Sequence, residues 1–522
     1  MPHQSLYIIQ IGPNQLEEPM QIQIDKSKKT PLYRQITEQI QAQIISGEIP
    51  DGFQFPSERQ LADTLGVNRT TVLNAYKELK ADGLLASHVG RGTTAIRGTD
   101  QKIRKTDSRR EPMWEYLFSD YLKNRDTFDV NKYLEMANQK DVISFAAGIA
   151  SFENPPVRAF KGIEHELLSN PKGMLVSPVA GFSSLRKVMA SYMQKRSCFC
   201  HPSEIMLVSG AQEGIDLAAR AFLNPGDIVL IEEPSFFPAI QSFRSMGARL
   251  MAVPMEHDGM DVRILEQLLM RYHPKLIYTM PTYHNPCGVT MSTAKRVRLL
   301  ELAAKYSVPV LEDDPYSELS FEGQTTAPLK SMDTNGNVIY LSSFSKTIYP
   351  GLRLGWICAD RKLIHHFSGI RQLIDLHSCC ISQQIVERFI VNGEMEKYVE
   401  FIRKEYRERR DMMVEALNRY APRGLSWNIP NGGYYLWCRL PDGLSADQLA
   451  SQAAKNGVAI LPGMPAYLTK QKGEGYIRLN YTFPPRDRIV RGVKILCDVM
   501  RELITAHAES DPLTENEINP IL

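Results

Sequence analysis

Lys346 stands in the run Ser343-Phe344-Ser345-Lys346-Thr347-Ile348-Tyr349-Pro350-Gly351-Leu352-Arg353-Leu354-Gly355, directly after the apolar segment Val338-Ile339-Tyr340-Leu341. Such a segment reads as a buried strand. An ordinary lysine is a solvated surface charge, but an amine held in partly desolvated surroundings can condense with a carbonyl group to give an imine. Ser343, Ser345 and Arg353 around it suit a phosphate, the arginine through a forked pair of donors. Ser209-Gly210-Ala211-Gln212 ends one apolar run and opens a helical one, where free backbone N–H groups attract a phosphate dianion. Glu312-Asp313-Asp314 lies at the carboxyl end of another apolar run, the edge at which open α/β sheets bind ligands, with a plain acidic loop as the competing reading. Arg478 sits in the alternating stretch Tyr476 to Tyr481, and an inward arginine is costly there unless paired. A carboxylate is a natural bidentate partner for it.

These residues must be carried by a large frame. At 522 residues the chain exceeds the size at which single cores stop growing, so two or more domains are expected. Ile205 to Val208, Ile228 to Ile231, Leu276 to Thr279, Val308 to Leu311 and Val338 to Leu341 are short apolar runs separated by helix-length segments. That pattern predicts an α/β domain with a mostly parallel sheet. Hydrophobic content of 43% and charged content of 23% are those of a soluble globular protein, and a net charge of +2 excludes a general affinity for polyanions. Eight cysteines over this length make no disulfide framework and fit a reducing cytoplasm. Cys198-Phe199-Cys200-His201 lacks a second ligand cluster at metal-binding spacing, so no metal is expected. The apolar run Leu6 to Ile11 has neither a basic flank nor a cleavage site, and no stretch approaches the roughly 20 apolar residues of a membrane span. A cytoplasmic protein without a membrane partner is the expectation.

Residues 30–98 form a separate unit. Leu32, Ile36, Ile40 and Ile44 mark one helical face, closed by Gly47. Ser57-Glu58-Arg59-Gln60 is a capping box that opens a second helix, and Gly66-Val67-Asn68 turns into a third, from Arg69 to about Lys80. Val72, Ala75, Tyr76 and Leu79 give that helix its buried stripe. A helix, a short glycine-bearing turn and a helix make a helix-turn-helix, whose second helix presents its first turn to the major groove. Leu84 to Ser87 and Val89 to Thr93 read as a two-stranded wing with a basic tip. Lysine and arginine number seven between Pro31 and Gly98, as do aspartate and glutamate, so DNA affinity must come from placement rather than bulk charge. Residues 99–140 read as a polar linker and a connecting helix, 141–506 as the α/β domain, and 507–522 as a disordered acidic tail.

Pro31-Leu32-Tyr33, Phe55 to Ala62, Gly66 to Val72 and Gly90-Arg91-Gly92-Thr93 together resemble the GntR family of DNA-binding regulators. That resemblance implies contacts to double-stranded operator DNA from Arg59, Arg69, Thr70, Thr71 and Gly90, with Asn74 and Arg91 as additions. From roughly Val142 to Met500 the chain resembles the class-I aminotransferases of fold type I, which bind pyridoxal 5′-phosphate (PLP). The resemblance implies helices on both faces of the sheet, a small C-terminal α+β subdomain and a homodimer. It makes Lys346 the lysine that holds PLP as an aldimine and Asp313 the partner of the pyridine nitrogen, both in catalytic positions. Tyr316 and Asn285 would contact the phenolic oxygen, and Phe236, with Phe237 as fallback, would stack on the ring. Gly210, Ala211, Gln212, Ser343, Ser345 and Arg353 would cradle the phosphate, Arg478 would anchor a substrate carboxylate, and Asn431 would line the same mouth.

One position departs from that family. Val176 stands where a tyrosine usually reaches the phosphate of the partner subunit's cofactor, which leaves either tight retention or the shared site open. The two halves together are similar to the MocR subfamily of GntR regulators. The combination implies a transcriptional regulator that senses an amino compound or PLP itself. An aminotransferase with an appended DNA-binding head is the alternative, and a cofactor-free dimerisation scaffold is a third reading.

Overall fold

The computed structural model describes residues 5–9, 20–28, 30–88, 92–96, 117–123, 139, 141–150, 156, 160–163, 176–323 and 326–510. Two compact units divide the chain, Met1–Met113 and Trp114–Leu522.

In the smaller unit, helix Leu32–Ser46 ends on Gly47 in the left-handed conformation, with φ 88°. Helix Glu58–Leu65 opens on a complete capping box between Ser57 and Gln60, and Gly66 closes it at φ 60°. The Asn68 side chain caps helix Arg69–Ala81 by accepting from the Thr70 N–H. Strands Gln54–Phe55, Gly92–Ala95 and Leu85–His88 form a three-stranded sheet with Gly92–Ala95 in the middle. Strand Met20–Ile24, paired antiparallel with Ser5–Ile9, lies ahead of the expected boundary at residue 30. Its alternate residues Met20, Ile22 and Ile24 are buried in the same core as Ile36, Ile40 and Leu61. The compact unit thus extends ahead of residue 30: the Met-Gln-Ile-Gln-Ile alternation buries one face of a strand.

The larger unit is built on an eight-stranded mixed sheet. From one edge its strands run Gly259–Met260, Arg249–Glu256, Ile228–Glu233, Leu276–Thr279, Val310–Asp313, Val338–Ser343, Gly355–Cys358 and Ile205–Val208. The pairs from Arg249–Glu256 through Val338–Ser343 are parallel, whereas Gly355–Cys358 is antiparallel to both its neighbours. Strand parity separates the cores. Met206, Val208, Val229, Ile231, Tyr278, Leu311, Leu341 and Ile357 pack on one face, under helices that include Ala211–Phe222. Ile205, Leu207, Tyr340 and Trp356, and separately Leu230, Ile277, Val310 and Val338, pack on the other. Both faces are covered, which is why these strands are apolar throughout instead of alternating.

Strands Ser426–Trp427, Tyr435–Arg439, Tyr476–Asn480 and Leu461–Pro462 form a smaller antiparallel sheet. Strand Ile143–Ser144 pairs parallel with Val458–Ala459, which carries the following segment Phe145 to Ile149 towards the large sheet's ligand edge. Helix Ile489–Ser510 continues past residue 507, where the sequence places the start of the tail. Alanines at 506 and 508 and Glu509 favour helix, so the turn propagates. Of the connecting helix expected from Trp114, the described part is Asp120–Lys123; most of residues 99–140 and all of 511–522 lie outside the described residues.

Gly214, inside helix Ala211–Phe222, sets how closely that helix approaches the sheet. A Cβ there would lie 2.3 Å from Leu341 Cδ1 and 3.1 Å from Leu341 Cδ2, and Leu341 is fully buried. Gly214→Ala is expected to destabilise the larger unit by about 1–3 kcal/mol, as overpacked cores do, although alanine is the better helix former. The denaturant midpoint measures this, and an unchanged midpoint would mean that Leu341 repacks freely.

Candidate functional site

Sheet topology brings distant residues to one edge. Strands Leu276–Thr279, Val310–Asp313 and Val338–Ser343 run parallel, so Asn285, Asp313 and Lys346 all follow or end strands at the same side. Ile205–Val208 also points that way, and Gly355 pairs with Val208, which sets Ser209-Gly210-Ala211 beside Arg353. A cavity of about 230 Å³ opens there. Ala211, Gln212, Phe236, Asn285, Asp313, Tyr316, Ser343, Ser345, Lys346, Arg353 and Arg478 line it, as do Phe237 and Tyr435.

Lys346 Nζ donates to the Gly148 carbonyl and lies 5.4 Å above the Tyr434 ring and 6.0 Å above the Tyr316 ring. Burial lowers the affinity of its amine for a proton, and the Arg478 and Arg353 guanidiniums push the same way against Tyr435 and Asp313. Asp313 is 1% exposed. Its Oδ2 accepts from Tyr278 Oη at 2.8 Å, while Oδ1 has no partner. Burial pushes its carboxyl up to about 7, assisted by Asp314 and opposed by the Tyr278 hydroxyl and Lys346. Sequence alone assigns Tyr278 no role, since a strand tyrosine among apolar residues carries no signal of its own.

At the expected phosphate cradle the Gly210 backbone lies against the Arg353 guanidinium. Gly210 has φ 93°, and a Cβ on it would sit 2.7 Å from Arg353 Nη2, which donates to the Ser209 carbonyl at 3.1 Å. Helix Ala211–Phe222 begins there without a side-chain cap, so its first N–H groups stay available for an anion. Ser343 Oγ donates to Ser345 Oγ at 3.0 Å and accepts from the Ser345 N–H at 3.1 Å. The Gln212 side chain turns to Ser242 Oγ, 2.7 Å away.

At the opposite wall, Arg478 is 3% exposed and stacks 4.2 Å from the Tyr435 ring centroid. Its Nη1 donates to Asn285 Oδ1 at 3.0 Å and its Nη2 to the Ala146 carbonyl at 2.8 Å, leaving Nε buried and unpartnered. Tyr316 Oη donates to Tyr435 Oη at 3.1 Å. Phe236 and Phe237 lie side by side, centroids 6.0 Å apart. Asn431 is corrected: it is exposed, does not line the cavity, and its carbonyl is taken by the Phe321 N–H at 2.8 Å. Gly432 and Gly433 press on Tyr283 instead, and Tyr435 is the residue of that turn that reaches the cavity. Val176 is 72% exposed. The backbone carbonyls of Ala146 to Ile149 form a wall that the sequence does not announce; besides Lys346 and Arg478, Asn480 Nδ2 donates to the Ala147 and Ile149 carbonyls.

The residues present fit PLP. An unpartnered buried carboxylate oxygen awaits a donor such as a pyridinium N–H, Gly210 at φ 93° takes a conformation that side-chain-bearing residues rarely adopt, and the lysine amine is desolvated. The unpaired Arg478 Nε awaits an acceptor such as a carboxylate.

In the smaller unit Arg59, Arg69, Thr70 and Asn74 are exposed and Thr71 is half-buried. Arg69 pairs with Glu58 at 3.4 Å, its side chain 70% exposed. Gly90 and Arg91 lie outside the described residues.

Residues 140–492 match the class I and II aminotransferase family, and residues 32–94 match the gntR family of bacterial regulatory proteins. The uncharacterized HTH-type transcriptional regulator YisV of Bacillus subtilis is 32% identical, the match covering 93% of this chain and 99% of that protein. The probable rhizopine catabolism regulatory protein MocR of Rhizobium meliloti is 28% identical over 84% of this chain and 88% of its own. Among solved structures, the kynurenine aminotransferase of Pyrococcus horikoshii, crystallised with PMP, is 35% identical with a TM-score of 0.72, covering 75% of this chain and 99% of that one. The chain belongs to the class I and II aminotransferases, with a gntR-family DNA-binding domain on the same polypeptide, the pairing found in the MocR subfamily of regulators.

Proposed function

We propose that this protein is a DNA-binding transcriptional regulator whose larger unit binds PLP at Lys346 and senses an amino compound bearing a carboxylate, or PLP itself. The observation that carries this reading is extent. The relative named as a transcriptional regulator matches 93% of the chain, head included, whereas the aminotransferase structure leaves the DNA-binding unit unmatched.

When bound, the cofactor supplies an electrophilic carbonyl and an electron-withdrawing ring. The chain supplies everything else. Ser343, Ser345, Arg353 and the N–H groups after Gly210 would hold its phosphate, Asp313 Oδ1 would accept from the ring N–H, and the amide of Asn285 and the hydroxyl of Tyr316 would serve its oxygen substituent. Lys346, depressed by burial, offers a larger neutral fraction than a surface lysine and would supply the nucleophilic amine for the cofactor's carbonyl. Arg478 grips the carboxylate through the N–H it leaves unpaired. Contacts made only when the cavity is filled give the effector unequal affinity for two arrangements of the protein, which is what coupling to operator binding requires. A homodimer would present two winged helices to a two-fold operator.

Turnover as an aminotransferase is the second reading, favoured by the juxtaposition of an ionisable Lys346 with Asp313 in one cavity. Sustained keto acid formation from an amino donor would select it.

Lys346→Ala is expected to abolish the shift in operator affinity caused by amino compounds while basal operator binding, followed by fluorescence anisotropy, persists. A full response in that variant would overturn covalent sensing. Arg69→Ala is expected to weaken operator binding and to reduce the slope of log affinity against log salt by about one, as loss of one phosphate contact does. An unchanged slope would remove Arg69 from the interface.

Asp313 also makes a pH prediction. Its folded carboxyl holds a proton up to about 7 against an ordinary 3.8, so between these values the folded chain binds a proton that the unfolded chain has lost. Stability of the cofactor-free protein therefore falls as pH rises through that window. Asp313→Asn is expected to flatten this dependence and raise the melting temperature of the cofactor-free form at pH 7, yet to weaken PLP retention. Parallel thermal melts with and without PLP check both signs.

A further inference from the structure

Three thiols meet at the edge of the large sheet opposite to Lys346. Cys358 ends strand Gly355–Cys358, whose other end begins beside Arg353. Cys198 and Cys200 precede strand Ile205–Val208, which runs antiparallel to it with Ile205 facing Cys358. Cys198 and Cys358 are buried and Cys200 is half-buried, all three packed in one apolar cluster. The Cys358 thiol interacts with those of both Cys198 and Cys200, and the ring of Phe199 between those two is exposed. Among the described residues no group of histidines, cysteines and acids is arranged to hold a metal ion, so the chemistry available here is that of sulfur.

Cys200 and Cys358 are not equivalent. The neighbouring Cys358 thiol holds the Cys200 thiol below its ordinary range, outweighing burial and Glu204, with Lys330 adding attraction. Cys358 is held well above that range by its contacts to Cys198 and Cys200 and by burial. A reachable sulfur that ionises readily, next to one that keeps its proton, suits oxidation through a sulfenic acid.

We propose that Cys200 and Cys358 form a peroxide-sensitive modification site that closes to a disulfide across the far edge of the sheet. The Cys200 thiolate attacks one oxygen of hydrogen peroxide; the O–O bond breaks, and the departing hydroxide takes up a proton to leave as water. The Cys358 sulfur then attacks the sulfenic sulfur of Cys200, the S–O bond breaks, and a second water carries away the hydroxyl and the Cys358 proton. Two thiols lose two electrons in all, and the peroxide gains them. The new bond would join the lead-in of strand Ile205–Val208 to the end of Gly355–Cys358, the two strands whose opposite ends carry Gly210 and Arg353.

The test treats the full chain with equimolar hydrogen peroxide, blocks remaining thiols with N-ethylmaleimide and maps peptides without reduction. The expected result is a cross-link between the Cys200 and Cys358 peptides, lighter than the free pair by two hydrogens and reversed by dithiothreitol. In Cys200→Ser, at a half-buried position, the cross-link is lost and Cys358 stays reduced. In Cys358→Ala, Cys200 is instead trapped as a sulfenic acid by dimedone. A cross-link from Cys198 to Cys358, oxidation confined to the exposed Cys379, or an unreacted Cys200 would each overturn the proposal.

Discussion

Taking an amine and a carboxylate out of water in one cavity is the constraint on which the larger unit depends. Desolvation acts on both in the direction of neutrality, lowering Lys346 and raising Asp313 to about 7. The lysine gains nucleophilic character from that cost. The carboxylate keeps one oxygen without a donor, and an unsatisfied buried group of this kind costs about 1–3 kcal/mol. A fold tolerates such a site only where its surroundings are over-determined, and here two apolar cores clamp the strands that deliver both residues.

The cavity's walls are loops, and buried guanidiniums hold several of them in place. Strand alternation points Asp313 into the cavity and Asp314 away from it, where Arg196 Nη2 meets Asp314 Oδ2 at 2.6 Å and Tyr340 Oη donates to the same oxygen at 3.0 Å. Removing one member of such a pair typically costs about 3–5 kcal/mol, so this pair fixes the strand end on which Asp313 stands. Arg296 donates to the Met291 and Pro281 carbonyls at 2.9 and 2.6 Å, bracketing the loop that carries Asn285. Arg371 reaches Ser209 Oγ at 3.2 Å, behind the phosphate cradle. Each arginine satisfies loop carbonyls or hydroxyls that a loop cannot pair by itself.

Much of this is legible from local pattern. Capping at Ser57 and Asn68, the turn at Gly66 and the apolar strand runs are local chemistry, and local chemistry survives folding. Motifs pick out the lysine, acid, serine and arginine positions, yet their meeting around one cavity follows from strand order, which no local window contains. For the same reason strand Gly355–Cys358 escapes a sequence reading: four residues, the first of which closes a motif, give no sign that they pair antiparallel on both sides. Asn431 is misplaced when a glycine-rich turn is assigned to the mouth as a block. The segment Ala146 to Ile149 contributes only carbonyls, and backbone groups leave no trace in residue type. Met20 to Ile24 does carry a period of two, but it lies beyond the boundary expected at residue 30.

The two units use their polar groups in opposite ways, and the difference matches what each must do. Arg69 is wet, weakly tied to Glu58 at 3.4 Å, and can exchange that partner for a phosphate at little cost. Binding of that kind is rapid, salt-sensitive and reversible. Asp313 Oδ1 and Arg478 Nε are dry and unpaired, so a partner of the right shape is strongly favoured over an empty cavity and a wrong one is strongly disfavoured. On the proposed function, discrimination among small molecules would belong to the larger unit and exchange along a polyanion to the smaller. A chain that carries both can let the demanding site bias the permissive one, whereas the reverse arrangement would offer little free energy to work with.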